Sequence, residues 1–111
     1  MTDLPSKACK PRAPGTPPLS REQATVLLQQ APGWSINAAA TELDRIFKFK
    51  NYYETIAFVN AVAFIVHRED HHPDLEVGYN RCLVRFSTHS VKGLSENDFI
   101  CAAKINTLAL T

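Results

Sequence analysis

Apolar and polar positions alternate with two periods along this chain, and the changes from one period to the other mark out its elements. Ser20 with Gln23 makes a capping box, so a helix is expected through the run QATVLLQQ, ending near the Pro32-Gly33 turn signal. Trp34 and Ile36 then alternate with polar neighbours as a short strand does. Beyond the small-residue turn NAAA, the run TELDRIFKFK sets Leu43, Arg45, Phe47 and Phe49 on one face and Asp44, Ile46 and Lys48 on the other. These two strands make a hairpin. Asn51 with Glu54 opens a second helix, where Ile56, Val59, Ala63 and Val66 form one stripe and Phe58, Val62 and Ile65 lie beside it. That apolar surface is wider than one sheet contact needs, and a subunit interface is one outlet for it. The helix must end before Pro73, because a residue preceding proline is pushed out of the helical region.

LEVGYN and RCLVRFSTH read as a further strand pair, with Cys82, Val84 and Phe86 on one face and Leu83, Arg85 and Ser87 on the other. The last helix starts at Ser95 with Asp98 at its third position, and Leu94 and Phe99 are spaced as a hydrophobic staple. Ile100, Ala103, Ile105 and Leu108 continue its apolar side. The expected order is α-β-β-α-β-β-α: a single α+β domain over 19–111, with a four-stranded antiparallel sheet and helices packed on one face. Gly78 and Gly93 read as backbone freedom at a bend and a turn. Residues 1–18 contain Pro5, Pro11, Pro14, Pro17 and Pro18 with Lys7, Lys10 and Arg12 interspersed, and are expected to be a disordered or loosely attached tail.

Composition narrows the function. At 111 residues there is room for one core. The apolar share of 45% and charged share of 21% are those of an ordinary soluble protein. A net charge of +1 argues against direct nucleic-acid binding. No apolar run is long enough to span a membrane, and MTDLPSKACK lacks a signal-peptide core, so a cytoplasmic protein is expected. Cys9, Cys82 and Cys101 are odd in number and form no CxxC pair, which suits free thiols in a reducing compartment.

Most of the titratable chemistry sits in HREDHHPD, residues 67–74, which holds three of the four histidines. His67 and His71 are four apart, as metal ligands on a helix face would be, but Glu69 does not occupy the position the H-E-x-x-H zinc pattern requires. Adjacent His71 and His72 rarely reach one ion, and no thiolate pair supports a site. A polar helix end is the bland alternative, since charged histidine is favourable near a helix C-terminus. Acid/base chemistry is the third reading. Imidazole titrates near ~6.5, and strands joined near Tyr79 would bring their outer ends, with His72 and His89, to one pocket. Asp70 could orient an imidazole there.

His71-His72-Pro73, then five residues, Tyr79, nine residues and His89 resembles the signature of the pterin-4a-carbinolamine dehydratases. GLSENDF followed by an alanine pair, FVNAVAF and the PGW at 32–34 are similar to that family's other segments, and the resemblance covers about 19–109. It implies an α+β fold and dehydration of 4a-hydroxytetrahydropterin, left by aromatic amino acid hydroxylases, to quinonoid dihydropterin. It also implies no metal or organic cofactor, and a homodimer or homotetramer. Carried over by position, His71 and His89 would be the catalytic acid/base pair, while His72, Asp70 and Pro73 would bind substrate. A hydroxylase is a partner this implies. Some members of the family also serve as dimerisation partners of a transcription factor, so an interaction module with incidental catalysis is the alternative. Two positions depart from the pattern: His67 stands where an acidic residue is common, and Leu75 where an aromatic one often follows the proline.

Overall fold

The computed structural model describes residues 3–108. Residues 1, 2 and 109–111, the outer ends of the expected tail and domain, lie outside the described residues. The elements follow the expected order: α1 (Arg21–Leu28), β1 (Ser35–Ile36), β2 (Leu43–Lys48), α2 (Tyr52–Glu69), β3 (Asp74–Val77), β4 (Arg81–Phe86) and α3 (Glu96–Asn106). The strands form one antiparallel sheet in the order β1-β2-β4-β3. Each expected hairpin forms, and the long β2–β4 pairing, from Leu43 opposite Phe86 to Lys48 opposite Arg81, joins them at the centre. The helix starts are local chemistry. Ser20 and Ser95 each close a capping box, with Gln23 and Asp98, and the Asn51 side chain accepts from the Glu54 N–H.

The helices cover one face of the sheet. Leu43, Phe47, Cys82, Val84 and Phe86 project from it, and Phe58, Val62 and Val66 of α2 meet them with Phe99, Ile100, Ala103 and Ile105 of α3. Aromatic rings run through this layer, with Trp34 5.9 Å from Phe47 and Phe47 4.5 Å from Phe58. Arg45, placed by its register on the inner face, stays at the rim, where it donates to Asn106 Oδ1 and the Pro32 carbonyl. Gly33 takes a φ of 88°, which favours glycine, with the Arg45 guanidinium lying close against it.

The proline-rich segment corrects the expectation of a loose tail. Leu4, 1% exposed, is part of the core, within a short 3-10 turn at Leu4–Ser6. The Leu4 N–H is held by Gln30 Oε1 just after α1, and beyond it the chain runs along α3 with polar ties: Lys104 Nζ to the Pro5 carbonyl, Lys7 to Glu96 at 2.7 Å, and both Lys10 backbone groups to the Asn97 side chain. This cover explains α3, which is buried almost all round rather than on one stripe. Prolines suit a strand-like cover because they fix φ without needing a hydrogen-bonded N–H. Gly93 serves the same packing, since a Cβ there would lie 2.9 Å from Pro18. Leu4→Ala is therefore expected to cost about 2–4 kcal/mol in urea unfolding. A loss below about 0.5 kcal/mol would mean that the segment is not part of the folded unit.

Candidate active site

The geometry starts where α2 stops. Asp70 adopts the left-handed conformation (φ 52°, ψ 43°), and the His71 N–H reaches back to the Val66 carbonyl at 3.2 Å. This closure turns the chain sharply, so His71 points toward α3 while Pro73 holds the next residues extended into β3. Antiparallel pairing of Asp74 with Arg85 sets the start of β3 beside the end of β4. His71 and His72 thus leave the sheet at the edge where Ser87, Thr88 and His89 emerge from β4.

His71 is held on two sides. Its ring lies nearly parallel to that of Phe86, 5.8 Å between centroids, and its Nε2 is 2.6 Å from Asp98 Oδ1. The Asp98 carboxylate is fully buried, and the His71 side chain is 12% exposed. The other carboxylate oxygen accepts from the Ser95 N–H at 2.9 Å and the Thr88 hydroxyl at 2.8 Å. With its proton committed to Asp98, Thr88 accepts from Ser95 at 2.7 Å, and Ser95 in turn accepts from the Asn97 N–H. An ionised carboxylate can only accept, so in the neutral imidazole Nε2 carries the hydrogen of this contact and Nδ1 is the nitrogen free to take a proton. Among the described residues no buried side-chain nitrogen or oxygen lacks a partner.

A cavity of about 460 Å³ opens at this point, lined by His71, His72, His89 and Asp70 and walled on one side by Cys9–Arg12. His72 and His89 are exposed, and Asp70 and His72 also face a second cavity of about 520 Å³ beside His67. The histidines expected to meet therefore do so. Pro73 is not among the cavity's lining residues. Tyr79, 66% exposed, also stands apart: its ring stacks on Tyr52 and its carbonyl accepts from Thr55. Leu75 packs against the core rather than into the cavity. Among the described residues no group of three or more His, Cys, Asp and Glu side chains is arranged to hold a metal ion.

The carboxylate on the His71 imidazole is Asp98, while Asp70 lines the cavity beside it. Sequence reasoning found Asp98 only as a helix cap, a task that uses one of its oxygens and leaves the other free. The remaining signal was a carboxylate directly before the apolar run 99–103, where a buried carboxylate needs a partner to be tolerated. Asn97 and the Cys9–Arg12 wall carried no signal of that kind.

The sequence pattern of a known family, "Pterin 4 alpha carbinolamine dehydratase", matches residues 17–108. A Nitrosospira multiformis protein bearing that dehydratase name is 59% identical over 108 residues, spanning 97% of this chain and 94% of its own. A similarly named protein of Nitrosomonas eutropha is 54% identical over 112 residues, covering 100% of this chain and 97% of its own. Among solved structures, the transcriptional coactivator/pterin dehydratase from Brucella melitensis superposes with a TM-score of 0.78 at 32% identity, over 83% of this chain and 98% of that one. A pterin dehydratase-like RuBisCO assembly factor of the alpha-carboxysome shares the fold, with a TM-score of 0.61 at 22% identity over 72% of this chain and 93% of that one. With nearly the whole chain matched and the histidine cavity at the expected sheet edge, the protein belongs to the pterin 4 alpha carbinolamine dehydratase family.

Proposed function

We propose that this protein is a hydro-lyase that removes water from 4a-hydroxytetrahydropterins, leaving quinonoid dihydropterin, by histidine acid/base catalysis. The observation that carries the proposal is an imidazole fixed by a buried carboxylate at 2.6 Å, in a cavity that two further histidines line. The reaction needs two proton movements. One proton leaves N5, and another reaches the hydroxyl on C4a so that it departs as water; the N5 electron pair then forms the C4a–N5 double bond. His71 is suited to take the N5 proton, because Asp98 stabilises the imidazolium that results. His89, exposed at the cavity mouth, delivers the proton to the leaving oxygen. His72 and Asp70 bind the pterin, Asp70 by accepting ring N–H groups. Pro73 serves binding indirectly, by directing His72.

The chemistry calls on no metal or organic cofactor. In the cell it would recycle tetrahydrobiopterin in the cytoplasm, beside an aromatic amino acid hydroxylase. No described helix is long and apolar enough to cross a membrane. The exposed Tyr52, Tyr53 and Phe64 of α2 support assembly as a homodimer or homotetramer. The assay is direct: 4a-hydroxytetrahydropterin is generated by a hydroxylase, and quinonoid dihydropterin is followed with and without the protein. A rate equal to the spontaneous one rejects the proposal.

A second reading draws support from the Brucella melitensis structure, whose name includes transcriptional coactivator. There the protein would be an interaction module, and a stoichiometric protein partner without pterin turnover would favour it.

A further inference from the structure

One wall of the cavity is made by Cys9, Lys10, Pro11 and Arg12, outside the stretch that matches the family. What fastens this wall is an unusual contact. Cys9 Sγ lies 3.6 Å from Cys101 Sγ, between residues 92 apart in sequence. The Cys9 N–H is held by Glu69 Oε1 at 2.8 Å, and the next residue is held through both backbone groups by Asn97. The sulfurs thus face each other by construction of the fold. Cys101 is fully buried in α3 and reaches toward the His71 carbonyl at 3.7 Å, while Cys9 is half-buried and lines the cavity.

We propose that Cys9 and Cys101 form a two-electron redox pair, whose disulfide locks the N-terminal segment to α3 as a wall of the cavity. Closing from 3.6 Å to the ~2.05 Å of a disulfide needs a small shift, and Cys9, outside any helix or strand, can supply it while α3 stays in place. A peroxide reaches Cys9 through the cavity. Its sulfur takes one peroxide oxygen to become a sulfenic acid, and the other oxygen leaves as water. The Cys101 sulfur then displaces the sulfenic hydroxyl, which departs with the Cys101 proton as a second water. Two thiols and one hydrogen peroxide give one disulfide and two waters. The hydrogen bond with Cys9 is the main cause holding the Cys101 thiol above its ordinary range, with burial second.

The test treats the full chain with hydrogen peroxide, alkylates the remaining thiols and digests without reductant. The expected result is a Cys9–Cys101 cross-linked peptide, with Cys82 the one cysteine still a thiol. Because the bond closes a loop of about 92 residues, Tm should rise by more than ~5 °C, and reductant should reverse it. Cys9→Ser and Cys101→Ala should each abolish both changes. Peroxide that leaves both thiols alkylatable, that carries Cys9 to a sulfinic acid, or that links two copies of the chain instead overturns the proposal. The cross-link is read without pterin turnover, so its outcome is independent of the assay of the proposed reaction.

Discussion

His71→Ala is expected to lower kcat for dehydration by about 10²–10⁴-fold with a smaller change in KM. In the proposed mechanism the imidazole acts on a proton in the transition state, and its removal leaves His72 and Asp70, proposed to bind the pterin, on the cavity lining. His89→Ala should fall in the same range. The two losses should combine to less than their product if both groups serve one concerted proton transfer. Folding should survive in both variants. His89 is exposed, and loss of the His71 ring leaves a cavity that opens to solvent rather than a sealed void. Rates within about threefold of the unmodified protein, measured on folded variants by quinonoid dihydropterin formation, would remove these histidines from the mechanism.

Asp98 is where the largest combined effect on activity and stability is expected. Asp98→Ala strips partners from the Ser95 N–H, the Thr88 hydroxyl and the His71 ring together, by removing a fully buried carboxylate. A loss of about 3–5 kcal/mol is expected in urea unfolding. Asp98→Asn separates the two roles. The amide oxygen still accepts from Ser95, so the helix cap survives. The amide group facing His71, however, is now a donor, so Nε2 must accept and the ring proton moves to Nδ1. The imidazole then presents an N–H where the reaction needs a base. A fall in kcat of at least ~10²-fold with melting little changed would show that Asp98 sets the tautomer. Equal losses from both substitutions, tracking stability alone, would leave Asp98 with a structural role only.

The second prediction turns on a residue that the sequence offered only as a cap. The serine, glutamine and asparagine signals at the helix starts act within three or four residues, so their partners are visible in the string of letters. The strand faces were visible for a similar reason: alternation commits Leu43 and Phe47, or Cys82, Val84 and Phe86, to one side whatever the rest of the chain does. Asp98 and His71 are 27 residues apart, and no spacing rule connects them. Leu4 shows the limit from the other side. One leucine among prolines and cations has no periodic partner, and its burial depends on a groove that exists only after α3 has packed.

The sequence by itself determined the order of helices and strands, the hairpins and the clustering of His71, His72 and His89, because capping, alternation and turn preferences are short-range forces. Tertiary structure alone decided which carboxylate holds His71, that the N-terminal segment covers α3 and walls the cavity, and that Cys9 meets Cys101. Those outcomes rest on burial. A side chain is buried only by neighbours that the whole fold brings to it, and the resulting demand for paired charges and filled grooves is set in three dimensions.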